Sequence, residues 1–331
     1  MNTKEAPGQV KVLLFGLGAI GGFYAFILAQ NPNVSLSVIA RSNYEAVKQN
    51  GLQLISQTHG THQVRIDHVF QSPSESPYKY DYIVLAHKAI NATRIPPLFP
   101  PSVTKATTTF VIIQNGIGNE RPYRDTFPHH TIISCVTWTG AVQTSPGVVT
   151  HKATEDLQIG LFPNPSLTPE TEDRKLDFFA ELLRTGGATF NVERDIQIQR
   201  WEKVVWNAAW NPLTTLTGVS VQTYLKSSPG ALRTARALMG ELVQIARKCN
   251  VPLREGLVEE LIAKVLAMPQ EVYSSMYVDA KEGRQLETEV IVGVPMQKAQ
   301  ELGLQAEVPV LRTVCSLITA VDQRLALSQS R

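Results

Sequence analysis

Up to about position 195 the chain alternates short apolar runs with stretches of helical length or turn-rich composition. VKVLLFG (10–16) reads as a buried strand, 19–30 as a helix and LSVIAR (36–41) as a second strand. A short helix follows over 43–50, closed by Gly51. Strands are expected at 53–55 and 64–69, joined by the THGTH turn, and then at 80–86 and 108–114. ISCVTW, GVVTH and LQIGLF add three more before a helix that opens at Thr168-Pro169, runs to about Arg184 and is stopped by Gly186-Gly187. Strands alternating with helices predict a parallel, doubly wound sheet. After Ile196 the texture changes to long helical periodicities over 197–216, 231–250, 253–267 and 286–302. The expected fold class is therefore α/β. An N-terminal Rossmann-type doubly wound domain, 1–194, precedes an all-helical domain, 195–331, suited to substrate binding or dimerisation.

Composition narrows the partners. The 31 basic and 29 acidic residues nearly cancel, and no Lys/Arg block forms a local patch, so nucleic acid is not an expected partner. Cys135, Cys249 and Cys315 are far apart in sequence, which argues against a disulfide framework and for a reducing, cytoplasmic setting. Residues 12–29 carry no charge, follow Lys4 and Lys11, and are long enough for a signal anchor or membrane helix. Four glycines in that run argue against both, because Gly weakens a helix interior. The chain reads as soluble, with no membrane partner.

The order of those glycines has a chemical explanation. Gly16-Leu17-Gly18-Ala19-Ile20-Gly21 is a GxGxxG that directly follows a strand and opens a helix. The first glycine permits a tight turn, the second lets a pyrophosphate approach the backbone, and the third lets helix and strand pack closely. Glycines also cluster in ordinary turns, but the βαβ context here points to dinucleotide binding. At the end of the second strand, where an NAD site carries a carboxylate, this chain has Arg41. A guanidinium suits a 2′-phosphate, so NADP(H) is the expected cofactor; the competing reading is a solvated surface arginine near Glu45.

Two further positions lie just past strand ends, where an open α/β sheet binds its ligand. Lys88 follows YIVLA and is suited to a phosphate or substrate charge. Asn115 follows TFVIIQ and is suited to a ribose or substrate hydrogen bond. Either side chain could equally cap a loop.

In WEKVVWNAAWNPL (201–213) Lys203, Asn207 and Asn211 interrupt a largely apolar helix at steps of four. Each such step advances about 40° around a helix, so all three share one face. An amine and two amides among three tryptophans look like substrate-orienting groups with one proton donor. A hydrated groove at a domain boundary would give the same pattern.

GLGAIGG, Lys88, the QNG at 114–116, WEKxxxNxxxNPLTTL and SSMYVDAKEGRQLETE (274–289) together resemble the ketopantoate reductase (2-dehydropantoate 2-reductase) family, in order and in rough spacing. The glycine motif is unspecific; the Lys/Asn stripe followed by Ser-Met-x-x-Asp and a Thr-Glu pair is much more so. The resemblance implies NADPH-dependent reduction of a small 2-oxo acid, in the family's case ketopantoate to pantoate in pantothenate biosynthesis. It makes Lys203 the catalytic lysine, Glu287 the active-site glutamate, Asn207 and Asn211 substrate-facing, and Ser275 the substrate-carboxylate ligand. Asn115, Lys88 and Glu287 become nucleotide- or substrate-proximal, and Arg41 the residue that selects the 2′-phosphate. Independently, hydride delivery to a ketone leaves an alkoxide that needs a proton and positive charge, both of which a lysine ammonium supplies. Glu287 is also readable as an exposed helix-start glutamate.

One departure bears on specificity. After NPLTTL, where family members often place another substrate-facing asparagine, this chain has Gly218-Val219-Ser220-Val221. A related reductase of another 2-oxo acid, and a non-catalytic NADPH sensor, are the competing readings; intact Lys203 and Glu287 argue against the sensor. No metal site is expected: His59 and His62 decorate a turn, His129-His130 sits in a Pro-bounded loop, His151 reads as packed, and no Cys/His spacing suits zinc. No GxSxG elbow is present. The helical domain could also support a homodimer.

Overall fold

The computed structural model describes residues 8–329. Lys4, which flanks the uncharged run in sequence, lies outside them, as do the outermost residues of both expected domains. The described chain divides into two compact units. The first holds everything up to Gln114 together with Asn119–Ile196; the second holds Asn115–Gly118 and everything from Gln197 onward. The expected division after position 194 falls just before the second of these breaks. The transfer of Asn115–Gly118 to the helical unit has no counterpart in the sequence pattern.

The first unit runs β1 (Val10–Phe15), α1 (Ala19–Ala29), β2 (Val34–Ile39), α2 (Tyr44–Asn50), β3 (Leu52–Ser56), β4 (Gly60–Val64), β5 (His68–Phe70), β6 (Tyr80–Leu85) and β7 (Thr104–Ile113). It continues through α3 (Glu120–Thr126), β8 (Thr131–Thr137), β9 (Ala141–Ser145), β10 (Val148–His151), β11 (Leu157–Leu161), α4 (Pro169–Thr185) and β12 (Phe190–Val192). Eight strands form one sheet in the order β12-β11-β8-β7-β6-β1-β2-β5, parallel except where β11 runs antiparallel to β8. Strand side chains alternate between faces, and both faces are covered. Val12 and Leu14 of β1 pack into one core with α1, while Leu13 and Phe15 join a second core with Phe99, Phe110 and Tyr123.

β3, β4, β9 and β10 leave this sheet and form a four-stranded sheet of their own, in the order β4-β3-β10-β9. This corrects the expectation of a single sheet. α1 packs against both β1–β2 and this smaller sheet, so Gly21–Leu28 are all buried. The uncharged run is therefore apolar all round because it is a core helix. Among the described residues no helix is long and apolar enough to cross a membrane.

The strand expected at 64–69 is a second correction. The turn ends earlier, at Gly60 with φ +85°, and β4 pairs Leu52 with Val64 and Ser56 with Gly60. This register buries Leu52, Leu54 and Val64 together, and a one-residue slip would turn them outward. Only the three residues of β5 then return to the large sheet, beside β2.

The second unit is helical: α5 (Ile196–Thr217), α6 (Val221–Ser227), α7 (Pro229–Lys248), α8 (Leu257–Leu266), α9 (Ser275–Lys281), α10 (Val294–Glu301) and α11 (Pro309–Gln329). α7 packs against α6, α8, α10 and α11. The periodicity reading missed α6, α9 and α11, and two other helices start later than expected. Pro252 and Gly256, the latter at φ +76°, delay α8 to Leu257, and Glu289–Gly293 forms a π-helical turn ahead of α10.

Candidate active site

In the first unit the three glycines of the turn do three different jobs. Gly16 has φ +101°, and a Cβ there would lie 2.4 Å from the His87 backbone nitrogen. A Cβ on Gly21 would lie 2.0 Å from the Gly16 carbonyl oxygen. A Cβ on Gly18 would meet nothing within 4 Å. Gly18 is thus bare toward open space at the start of α1, the place and shape a pyrophosphate requires, so these residues fit a dinucleotide. Leu17, Ala19 and Ile20 complete the turn, and the Asn43 amide holds it by donating to the Leu17 carbonyl at 2.6 Å.

Arg41 is exposed just past β2, and it makes no ion pair with Glu45 among the described residues. Lys88 is exposed in the loop after β6. Beside it His87 is buried against Phe15, and the Gln114 amide donates to its carbonyl at 2.8 Å. Burial, aided by the Arg41 charge, pushes the His87 pKa down to about 4, so its ring is neutral near pH 7.

In the second unit α5 carries the polar stripe. Lys203 is partly buried, while Asn207 and Asn211 are buried. Among the described residues the Asn207 and Asn211 side-chain nitrogens have no hydrogen-bond partner, an arrangement that a ligand oxygen would relieve. Pro212 follows directly and cannot donate to the Ala208 carbonyl. The Thr214, Thr215 and Thr217 hydroxyls bond back to carbonyls of the preceding turn at 2.6–2.7 Å. Burial lowers the Lys203 pKa to about 8; Glu287 opposes that shift and Arg200 adds to it.

The Asn115 amide donates to the Glu287 carboxylate at 3.0 Å, so the fold joins two residues that the sequence pattern treated separately. Glu287 is buried whereas Glu289 is exposed, which removes the reading of Glu287 as an exposed helix-start residue. Asp322 of α11 brackets it: its carboxylate accepts from the Leu286 N–H at 2.8 Å and the Thr288 hydroxyl at 3.0 Å. Ser275 is exposed as the first residue of α9. Its neighbour Ser274 caps α9, accepting from the Tyr277 N–H at 3.0 Å, and bonds the Thr214 hydroxyl of α5 at 2.7 Å. Buried Asp279 pairs with Arg284 at 2.8 Å and ties the end of α9 to the stretch leading to Glu287.

The fold therefore gathers Lys203, Glu287 and Asn115, aligns Asn207 and Asn211 on the helix face of Lys203, and anchors the start of α9, with Ser275, to α5. The glycine turn, Arg41 and Lys88 belong to the first unit. Sequence reasoning missed Arg200 and Asp322. Arg200 was findable, because it continues the stripe three residues upstream of Lys203. Asp322 lies on a helix the pattern did not reveal.

His151 is fully buried and bonds the Ser56 hydroxyl at 2.8 Å; His59 bonds Glu155 at 2.8 Å beside Phe23 and Phe26.

Comparison with known proteins bears on both units. Residues 12–164 match a family described as "Ketopantoate reductase PanE/ApbA", and residues 195–322 match "Ketopantoate reductase PanE/ApbA C terminal". A solved 2-dehydropantoate 2-reductase from Methylococcus capsulatus is 31% identical with a TM-score of 0.83, covering 96% of this chain and 98% of its own. A curated 2-dehydropantoate 2-reductase from Nostoc is 26% identical over 298 residues, 89% of this chain and 90% of the relative. A D-mandelate dehydrogenase solved with NADH and anilino(oxo)acetate shares the fold at a TM-score of 0.82 and 23% identity, covering 96% of this chain and all of its own.

Proposed function

Because this chain belongs to the ketopantoate reductase family, and is thereby a pyridine-nucleotide-dependent oxidoreductase of 2-oxo acids, we propose that it reduces 2-dehydropantoate to pantoate with NADPH, Lys203 giving the proton. The observation that carries this reading is the shared helix face of Lys203, Asn207 and Asn211, whose two amide nitrogens lack a partner among the described residues; burial holds the Lys203 amine below its usual pKa, and the Glu287 charge acts on it.

When bound, the cofactor supplies a hydride to the substrate carbonyl carbon. The chain's own residues do the rest. The Asn207 and Asn211 amide nitrogens donate to substrate oxygens and hold the carbonyl in register. The Ser275 hydroxyl, exposed at the start of α9, donates to the substrate carboxylate. The Lys203 ammonium polarises the carbonyl oxygen, stabilises the growing alkoxide and transfers a proton to it. Glu287, fixed by Asn115, favours the charged form of Lys203 and accepts from a substrate hydroxyl or from the nicotinamide ribose. An anionic substrate adds a further negative charge, which shifts Lys203 toward the protonated state that the step needs. Exposed Arg41 receives the 2′-phosphate, and Lys88 meets a phosphate or the substrate charge. We place the reaction in the cytoplasm, in pantothenate synthesis, with a homodimer as the working assembly.

A second reading is a reductase of another 2-oxo acid. It is favoured by the 218–221 segment, in which Val221 is fully buried and Ser220 is occupied in capping α6.

NADPH absorbance followed with ketopantoate, beside NADH and beside Lys203→Ala, tests the proposal. Rapid oxidation of NADPH that is weak with NADH and lost in the variant supports it. Tight NADPH binding with oxidation by other 2-oxo acids but not ketopantoate favours the second reading. No oxidation by any 2-oxo acid overturns both.

A further inference from the structure

α5 carries a fourth polar group on the Lys203 stripe, and it is the most deeply buried of them. Arg200 is only 1% exposed. Standing three residues before Lys203, it projects from the same face of the helix. A buried guanidinium is expensive unless its donors and its charge are both used, and an apolar residue of similar volume would fill the space at lower desolvation cost.

Both are used here. Arg200 Nη1 donates to the Gly116 carbonyl at 2.9 Å. Gly116 has φ +86°, and a Cβ there would lie 2.5 Å from Val290, so this stretch of backbone is pressed against the turn after Glu287. The Ile117 N–H donates to the Val290 carbonyl at 3.1 Å and closes the same contact. Asn115, which grips Glu287, is the residue directly before Gly116. Arg200 therefore holds one end of a chain of contacts whose other end is the Glu287 carboxylate. The Lys203 amine feels the charge of Glu287, from the segment between α9 and α10, and that of Arg200, from α5 itself.

We propose that Arg200 is a positioning residue for the reaction, tethering Asn115–Gly118 to α5 so that Asn115 fixes Glu287, and supplying the fixed positive charge against which Lys203 is balanced. The proposal rests on Lys203 acting as the proton donor. Arg200 thereby opposes the hold that Glu287 gives Lys203 on its proton. Replacing the guanidinium thus has two separable consequences. Loss of the charge strengthens the hold of Lys203 on its proton, and loss of the fork loosens Asn115.

Two variants separate them. Arg200→Gln removes the charge and keeps a donor; Arg200→Lys keeps the charge and loses the planar fork. The readouts are the pH dependence of Lys203 acetylation by acetic anhydride, followed by peptide mass spectrometry, and the steady-state constants with whichever 2-oxo acid the wild type reduces. The expected result is an apparent Lys203 pKa raised by about 1 unit in Arg200→Gln and not raised in Arg200→Lys, where the charge stays and a loosened Glu287 supports the ammonium less well. In Arg200→Lys, KM for the 2-oxo acid rises about tenfold as Asn115 and Glu287 lose their register. An unmoved Lys203 titration in Arg200→Gln, or a wild-type KM in Arg200→Lys, overturns the proposal. Should Arg200→Gln fail to fold, Arg200→Lys alone decides through KM. The acetylation readout needs no turnover, so a wild type that reduces no 2-oxo acid sinks the reductase reading while a shifted Lys203 titration still upholds the charge role of Arg200.

Discussion

The Asn115 amide and the Glu287 carboxylate stand 3.0 Å apart across 172 positions of sequence. Asn115 leaves the sheet unit with the three residues after it and belongs to the helical unit. Its partner is held in turn by Asp322, which accepts from the residues on either side of Glu287. The carboxylate beside Lys203 is thus fixed from two directions by groups far away in the chain.

Lys203→Met should abolish reduction while leaving the fold intact. Losing the proton donor costs about 10²–10⁴ in kcat/KM. The amine is held below its normal pKa, so its charged form opposes folding, and removing it leaves Tm unchanged or higher. Steady-state kinetics and a thermal melt on one preparation check both halves; a large drop in Tm would show that Lys203 is chiefly structural.

The pH profile follows from the same group. The donor must be protonated, and its pKa of about 8 puts the loss of the ammonium on the alkaline side. For the free enzyme, kcat/KM for reduction is expected to fall as pH rises through about 8, and the reverse oxidation to gain over the same range. His87, neutral down to about pH 4, adds no inflection between pH 5 and 7 of its own.

The glycine turn offers a paired test. Gly21→Ala puts a methyl 2.0 Å from the Gly16 carbonyl oxygen and should lower both Tm and cofactor affinity. Gly18→Ala meets no protein atom within 4 Å, so its Tm should match wild type while NADPH affinity drops at least tenfold. Calorimetric binding beside thermal melts distinguishes the two; normal NADPH affinity in Gly18→Ala would move the pyrophosphate elsewhere.

Arg41→Ala should lower affinity for NADPH and leave NADH nearly unaffected. A charge-assisted hydrogen bond to the 2′-phosphate is worth about 1.5–3 kcal/mol, or roughly 10–100-fold in Kd. Equal losses for both cofactors would assign Arg41 some other role.

Asp322→Ala frees the backbone on both sides of Glu287. We expect kcat/KM to fall about 10–100-fold with the Lys203 inflection displaced to lower pH, because Glu287 then supports the ammonium less well. A loss of rate with an unmoved inflection would mean that Asp322 only stabilises the helix pair.

Local patterning determined a good deal by itself. β1 and α1 were legible because an apolar run of strand length followed by a glycine turn and a helix has few other ways to bury itself, and β2, β6 and β7 because each holds a short, mostly apolar run of strand length. The stripe of Lys203, Asn207 and Asn211 was legible because helix geometry puts steps of four on one face. The motif residues Glu287 and Ser275 came from resemblance, since nothing in their immediate surroundings distinguishes them from surface groups. Tertiary structure alone decided that β3, β4, β9 and β10 form a separate sheet over α1, because strand partners are chosen by nonlocal pairing that alternation cannot encode. It decided equally that Asn115 meets Glu287, that Arg200 holds Gly116 and that Asp322 brackets Glu287. Each of these is a contact between elements far apart in the chain, whose distance depends on how helices and loops pack rather than on any local period. The shift in Lys203 belongs with them, because a pKa is set by burial and neighbouring charge, both of which exist only once the chain has folded.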